Sequence, residues 1–169
     1  MGTSTPPPIY TVSHVEVKIA GVTDSAPDGM NSLLFSSAST PNWSIEATKH
    51  VFHGNSGQPE TIISAVQHAK YGTVTLKQGW DEGYCLAKWR AQIEDPQTAI
   101  DQKKKQVDIT FYQNDGTTEL FTYHTDSGLM TSYETAASDP ASNGLLTVSV
   151  TLDADTWQQT VGGSPIAPS

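Results

Sequence analysis

Hydrophobic and polar residues alternate along most of the chain, a period that is typical of strands burying one face of a sheet. The pattern predicts strands within residues 10–21, 43–54, 70–79, 106–124 and 144–155, and a further extended segment at 128–139. A helical period occurs in Tyr84–Asp95, where Leu86, Trp89 and Ile93 share a face and Pro96 follows. The chain is therefore predicted to be mainly β, with one short α-helix.

The stretch "KYGTVTLKQG" at residues 70–79 shows the alternation most clearly. Val74 and Leu76 point to one face and are expected to enter the core. Gly72 and Gly79 flank the strand and are expected to bend the chain. The opposite, polar face consists of Thr73, Thr75 and Lys77.

Residues 106–124 predict a β-hairpin. Apolar residues occupy every second position of Val107–Phe111, Asp115-Gly116 supplies a tight turn, and the return strand covers Glu119–His124. The preceding Lys103–Lys105 run is expected to be a solvated loop.

Two segments lack one clear period. Residues 22–41 are rich in Ser, Asp, Pro and Gly and predict a long loop, anchored by the apolar Leu33–Phe35. Residues 55–69 fit both a strand and a short helix, and we interpret them as an arm that projects from the body. The apolar residues of this arm are Ile62, Ile63 and Val66.

The length of 169 residues suits one domain with its own core. We expect a flexible N-terminal arm at 1–9, a single β domain at 10–157 and a C-terminal tail at 158–169. The Ser- and Thr-rich alternating strands favour a β-rich α+β fold, an antiparallel β-sandwich or split barrel.

Charge and composition exclude several classes of function. Nine basic and eighteen acidic residues give a net charge of −9, which argues against a groove that tracks phosphates. No apolar run is long enough to span a membrane and the start lacks the pattern of a secretory signal, so we expect a soluble protein. The single cysteine, Cys85, lies on the predicted helix and is expected to pack in the core.

No motif of catalysis or cofactor binding is recognisable. The chain has no phosphate loop, dinucleotide glycine pattern or nucleophile elbow. His50 and His53 are three apart on a predicted strand, which places them on opposite faces and makes a poor metal pair. We therefore predict no catalytic residue, no metal ligand and no cofactor.

The four tryptophans leave a carbohydrate-binding β-sandwich open as an alternative. Trp89 is assigned to the core by its helical face, and Trp80 and Trp157 could pack in the core or at an interface. Sugar stacking stays open for Trp43. A small hydrolase is a third possibility, which would need a Ser–His pair or converging carboxylates.

The many half-buried strands raise a problem of open sheet edges. A monomer with long unpaired edges is prone to edge-to-edge aggregation. A ring of subunits whose sheets join would remove those edges and leave a polar face on a water-filled lumen.

Three segments, in this order, resemble the tail-tube and inner-tube proteins of contractile phage tails and related injection systems. They are "KYGTVTLKQG" followed by an acidic turn and "LAKWRAQI", then "KKKQVDITFYQNDG", then "GLLTVSVTLDAD". The resemblance covers Tyr10–Asp155 and extends to the ring-forming tube protein of type VI secretion. The longer segments at 22–41 and 96–102, and Gln78 in place of a basic residue, depart from the common pattern.

The resemblance implies a structural protein without catalytic residues. Copies would form hexameric rings that stack into a hollow tube, with their sheets joined into one ring barrel. Implied partners are other copies, the sheath protein, baseplate, initiator and terminator proteins, and DNA or protein cargo. The implied location is a virion tail or injection particle made in the bacterial cytoplasm. The implied subunit-interface residues are Ile62, Ile63, Val66, Lys70, Tyr71, Gly72, Thr73, Thr75 and Lys77.

Overall fold

The computed structural model describes residues 11–25, 32–45, 47–53, 59–65, 69–79, 84–137, 146–162 and 164–165. The helices in these ranges are α1 (Cys85–Glu94) and α2 (Ile100–Lys103), and a short 3-10 helix covers Thr23–Ser25. The strands are β1 (Val12–Ile19), β2 (Leu33–Phe35), β3 (Ser37–Ala38), β4 (Trp43–Ser44), β5 (Ala47–His53), β6 (Pro59–Ala65), β7 (Lys70–Tyr71), β8 (Val74–Gly79), β9 (Lys105–Gln113), β10 (Glu119–Ala137), β11 (Leu146–Asp153), β12 (Gln158–Val161) and β13 (Ser164–Pro165).

The strands form two antiparallel layers that share the long strand β10. The first sheet has the order β2-β1-β9-β10-β12-β13, and the second has the order β10-β11-β8-β3. Only Ser36 separates β2 from β3, so this segment leaves the edge of one sheet and joins the edge of the other. The antiparallel, mainly β fold predicted from the sequence is confirmed.

Strand β10 changes partners along its length. Its first half, Glu119–Gly128, pairs with β9, and its second half, Leu129–Ala137, pairs with β11. The register is irregular between Thr125 and Gly128 and again between Met130 and Ser132. Such irregularities bend a strand, which allows β10 to pass from one sheet to the other.

The core lies between the two sheets, with α1 packed against it. The alternation read from the sequence is the cause, since every second residue is buried within 15–19 of β1, 74–78 of β8, 107–111 of β9 and 148–152 of β11. Leu86 and Trp89 contribute from α1, and Cys85 is a buried thiol, as predicted. The largest fully buried side chains are Trp89, Phe35, Ile19, Leu76, Leu86, Ile109, Leu152, Val17, Val74, Val107, Val148 and Val150.

Helix α1 and the hairpin confirm the local predictions. The helix spans Cys85–Glu94, within one residue of its predicted bounds at each end. The turn at Asp115-Gly116 joins β9 to β10, and Gly116 takes the left-handed conformation that such a turn requires. The Asp115 carboxylate accepts hydrogen bonds from the backbone N–H groups of Thr117 and Thr118, which closes the turn.

Two predicted loops are wrong. Within residues 22–41, Leu33–Phe35 and Ser37–Ala38 are strands rather than an anchored loop. They are too short to show a period, and their pairing with β1 and β8 is what makes them strands. Lys103–Lys105 are not a solvated loop: Lys103 ends α2 and its Nζ donates to the carbonyl of Ile93 at 2.7 Å.

Residues 43–54 were predicted as one strand, but they contain two strands, β4 and β5. β5 belongs to a two-stranded ribbon with β6. β4 pairs with β7 and β5 pairs with β6, in two small ladders that continue the antiparallel β3–β8 pair. We call the β4–β7 and β5–β6 ladders the arm.

At the other end of the chain, β12 lies in the segment assigned to a C-terminal tail and pairs with β10.

Candidate subunit interface

One side of the second half of β10 has no partner strand among the described residues. Thr122–His124 pair with β9 and with β12 at the same time, so β9 and β12 lie on opposite sides of β10. β11 continues the β12 ladder on one side and covers Leu129–Ala137. The side of β10 that β9 covers in the first half of the strand therefore has no partner among the described strands in the second half.

A shallow groove runs between α1 and the second half of β10. Its lining includes Ile93, Met130 and Tyr133, and the Arg90 guanidinium lies 5.4 Å from the centre of the Tyr133 ring. Arg90 also contacts the Glu94 carboxylate at 2.7 Å. The groove mixes apolar and charged groups, as the rim of a subunit contact does.

The opposite edge of the second sheet is the short strand β3. It pairs with β8 on one side, and no described strand pairs with its other side. The two open sides of the sheet thus face away from each other, since β11 and β8 lie between β10 and β3. This arrangement allows a sheet to continue from one copy to the next.

The outer face of the second sheet carries the polar residues read from the sequence. Val74 and Leu76 are fully buried, whereas Thr75 is half-buried and Lys77 exposed. The paired strands form two cross-strand rows of polar residues. The rows are Thr75–Thr151–Ser132 and Lys77–Ser149–Glu134. This face is therefore rich in hydroxyl groups, with one cation and one anion in its rows.

The base of the arm depends on a close approach of two backbones at Gly72. The Gly72 N–H donates to the carbonyl oxygen of Asn42 at 2.7 Å. A Cβ at position 72 would lie 1.7 Å from Oδ1 of Asn42, so a side chain there would displace the asparagine. The close approach to Asn42 is therefore a steric reason for glycine at this position, and the predicted bend there stays a prediction.

Three of the nine predicted interface residues, Gly72, Thr75 and Lys77, are placed above, and five of the other six belong to the arm or lie beside it. Lys70 and Tyr71 form β7, Tyr71 packs against the core, and Thr73 is exposed beside the break between β7 and β8. The backbones of Ile62 and Ile63 pair with His50 and Lys49 in the arm. Val66 lies outside the described residues, as do residues 1–9 and Trp80. That these residues contact another subunit stays a prediction.

The outer face of the first sheet is more strongly charged. The Tyr112 hydroxyl donates to the Glu16 carboxylate at 2.8 Å, and the His14 ring stacks on the Tyr112 ring. Burial and the bond to Glu16 raise the pKa of Tyr112 to about 12. Lys18 lies 3.7 Å from Glu16. These contacts form a cross-strand polar network, which sequence periodicity did not reveal.

His124 is held between two carboxylates on the same face. Its Nδ1 lies 2.6 Å from Asp108 Oδ1, and its Nε2 lies 3.1 Å from Asp126 Oδ1. The hydrogen bond to Asp108 is the main cause of a raised His124 pKa, and the charges of both carboxylates add to it. The two carboxylates bind opposite nitrogens of the ring, an arrangement that favours imidazolium.

This geometry predicts a pH-dependent contribution to stability. Because the His124 pKa is raised above the unfolded value of about 6.5, the stabilisation is complete below that pH and is lost as pH rises through the folded pKa. We expect His124→Asn to remove a contribution below about 1 kcal/mol, since the ring is partly exposed. Urea unfolding at several pH values measures it. His14→Asn is the control and should keep the pH dependence; an unchanged profile in His124→Asn would contradict the assignment.

The tryptophans considered for carbohydrate binding differ in their burial. Trp89 and Trp157 are buried, and the Trp89 indole donates to the carbonyl of Lys103 at 3.0 Å. Trp43 is exposed. A search of the described residues finds no cluster of His, Cys, Asp or Glu that could hold a metal ion. It likewise finds no helix with the length and apolar character needed to cross a membrane.

Two open sheet sides and a projecting arm define a β protein that can associate with other copies through its sheet. The sequence profile of one family, the T4-like virus tail tube protein gp19, matches residues 14–158. The chain belongs to this family and is a structural tube subunit. No curated protein sequence matches the chain.

Solved structures of low identity share the fold. The tube–sheath terminator structure of the PVC extracellular contractile injection system is 22% identical, with a TM-score of 0.63 over 91% of this chain and 97% of that chain. The PVC sheath–tube complex gives 22% identity and a TM-score of 0.62 over 95% and 99%. Hcp1 from Salmonella typhimurium gives 14% identity and a TM-score of 0.56 over 92% of each chain.

Proposed function

We propose that this chain forms rings of six copies that stack into the hollow tube of a contractile tail or injection particle. The observation that carries the proposal is the pair of open sides, β10 and β3, at opposite edges of the second sheet. Joining β10 of one copy to β3 of the next is a heterologous contact, and such contacts close into a ring when the rotation between copies is a whole fraction of a full turn. The number six follows the tube proteins that the sequence resembles.

The dimensions of such a ring suit a conduit. The second sheet has four strands, so six copies would supply twenty-four. With strands about 4.8 Å apart, the wall would have a perimeter of about 115 Å and a backbone diameter of about 37 Å. Tilt of the strands would widen it further. After side chains are allowed for, the channel exceeds the width of an α-helix, about 10–12 Å.

The second sheet is the layer that fits the inside of the ring. The inner layer of a two-layer ring has the smaller perimeter, and the second sheet has four strands against six in the first. Its outer face would line the lumen, including Thr75, Lys77, Ser149 and Thr151. The described residues of this face include one cation, Lys77, and two anions, Glu134 and Asp153, so the wall would be hydroxyl-rich and most of the acidic surplus of the chain would lie elsewhere.

The proposed partners follow from the same assembly. The first sheet and α1 would face outward, toward a sheath, and the ends of the tube would meet baseplate, initiator and terminator proteins. DNA or protein cargo would pass through the lumen when the sheath contracts. The particle would be assembled in the bacterial cytoplasm. The chain would act without catalysis, in keeping with the structural role of its family.

Cysteine cross-linking tests the joining of β10 to β3. A cysteine at Ser37 is combined with one at Thr131, Tyr133 or Thr135, because a disulfide forms only between Cα atoms closer than about 7 Å. We expect one pair to give a ladder of products that ends at six copies on a denaturing gel. Single-cysteine variants are the controls and should stop at dimers, and the buried Cys85 stays reduced.

Microscopy of the uncross-linked protein completes this test. Negative staining should show rings or short tubes at high concentration. A protein that remains monomeric at high concentration, with no ladder from any cysteine pair, would overturn the proposed function. A ladder that continues beyond six copies would instead correct the number of subunits.

A further inference from the structure

The bend of β10 is a β-bulge. Between the pairs that Thr125 and Gly128 make with β9, β10 has two residues, Asp126 and Ser127, whereas β9 has one. An extra residue in one strand of a pair bends that strand. Inside the bulge, the Ser127 N–H donates to the Thr125 hydroxyl oxygen at 3.2 Å. The second half of β10 begins directly after the bulge, so the bulge sets the direction of the edge that is proposed to join the next copy.

His124 ties this bulge to the neighbouring strand. Its Nδ1 contacts Asp108 of β9, and its Nε2 contacts Asp126, the first residue of the bulge. We call these three residues the clamp. β12 places the uncharged Gln158 opposite His124, and Lys18 of β1 pairs with Asp108 on its far side. The imidazole therefore faces two carboxylates directly, one at each ring nitrogen.

The clamp holds both carboxylates only while the imidazole carries two protons. An imidazolium donates from both nitrogens, whereas a neutral imidazole has one N–H and a lone pair on the other nitrogen. One carboxylate would then face the lone pair, and repulsion would break that contact. The contact to Asp126 is the weaker one, because it is 3.1 Å long against 2.6 Å for Asp108, and the Asp126 side chain is 86% exposed. Deprotonation therefore releases Asp126.

We propose that the clamp is a proton-controlled device that orders the bulge of β10 for assembly. With two protons on the imidazole, the contact to Asp126 fixes the bulge and the edge that follows it. After deprotonation the bulge gains conformational freedom, which has to be lost again when copies join. This inference rests on the proposed ring assembly and adds a dependence on pH to it.

Assembly is expected to weaken as the pH rises. The hydrogen bond to Asp108 and the charges of both carboxylates raise the pKa of His124. The contribution of the clamp is therefore complete below about pH 6.5, the unfolded value, and is lost as the pH rises through the folded pKa. Because the contacts are partly exposed, we expect the concentration needed for assembly to rise only about threefold over this range.

Two substitutions of Asp126 test the clamp by sedimentation velocity at about pH 6 and about pH 9. An asparagine amide can accept from an N–H and donate to a lone pair, so Asp126→Asn should assemble at both pH values as the wild type does at the lower one. Asp126→Ala lacks the contact in both states and should assemble at both as the wild type does at the higher one. Asp101→Asn is the matched control, since it removes an exposed carboxylate on α2 and should keep the wild-type pH dependence.

Titration of the imidazole by NMR gives a readout that does not depend on assembly. The His124 pKa of the monomer should be lower in Asp126→Ala than in the wild type, because one of its two anions is missing. Circular dichroism checks that each variant is folded. An equal His124 pKa in both proteins would mean that the Asp126 contact does not form, which overturns the inference.

The assembly results separate this inference from the proposed function. A wild-type pH dependence in both Asp126 variants would assign the effect to another group. Wild-type assembly that is equal at both pH values would also remove the role of the clamp, while leaving ring formation intact. A wild type that assembles at neither pH would remove the proposed function together with the clamp.

Discussion

Val74→Asp is expected to leave the chain unfolded. The Val74 side chain is fully buried in the second sheet, where it pairs with Leu152, and its neighbours Leu76 and Val150 are also fully buried. A carboxylate at this position would have no partner, and burying such a group costs several kcal/mol. The total stability of a domain is about 5–15 kcal/mol, so this single change can consume most of it. Circular dichroism in the far ultraviolet should show loss of the β spectrum.

Thr75→Glu is the control for this prediction, because it places the same kind of charge one residue along the strand. Thr75 lies on the outer face and is only half-buried, so its substituent can reach solvent. We expect a folded monomer with altered assembly, since the residue would sit in the proposed lumen wall. Unfolding of Thr75→Glu, or native folding of Val74→Asp, would reverse the assignment of the two faces.

The buried face of this strand is predictable from the sequence for a physical reason. A strand with one buried face must alternate, and β1, β8, β9 and β11 do so over six or more residues. The same holds for the helical spacing in α1 and for the Asp-Gly turn, where local chemistry determines the conformation. The fold class and the core faces could therefore be predicted from local pattern.

Elements that depend on distant partners could not be predicted in this way. β2 and β3 are two or three residues long, and only their pairing with β1 and β8 defines them. β10 runs unbroken for 19 residues, although the sequence predicted a strand that ends at His124 and a separate extended segment that begins at Gly128. The open side of β10 is also invisible in the sequence, because it results from which strands pair with each half.

In the candidate interface, too, features set by local pattern could be predicted, whereas features set by strand pairing could not. The polar face of β8 was evident from Thr73, Thr75 and Lys77. The exposure of Trp43 could not be predicted, because it depends on where the core ends. The charged network around His124 was missed because Asp108 and Asp126 reach it from β9 and from its own strand. A pairing scheme for the strands would have been needed to find it.

Gly128→Ala is expected to lower the free energy of unfolding by about 2–3 kcal/mol, because neighbouring atoms already occupy the space that a Cβ would need. Gly128 is buried opposite Lys105 where β10 changes partners, and a Cβ would lie 2.7 Å from Val107 Cγ2 and 3.1 Å from the Lys105 carbonyl oxygen. The backbone contact cannot move without disturbing the β9 ladder. Urea unfolding of the single variant should show the lower midpoint.

A double-mutant cycle tells this overlap apart from a general effect of the substitution. Val107→Ala removes the closest atom, so Gly128→Ala should cost at least 1 kcal/mol less in that background than in the wild type. Gly162→Ala is the control: a Cβ there meets nothing within 4 Å, and its cost, which comes from a φ of 58°, should be the same in both backgrounds. If the free-energy costs of Gly128→Ala and Val107→Ala are additive to within about 0.5 kcal/mol, Val107 does not restrict the space at position 128. The bend of β10 would then not depend on the absence of a side chain at Gly128.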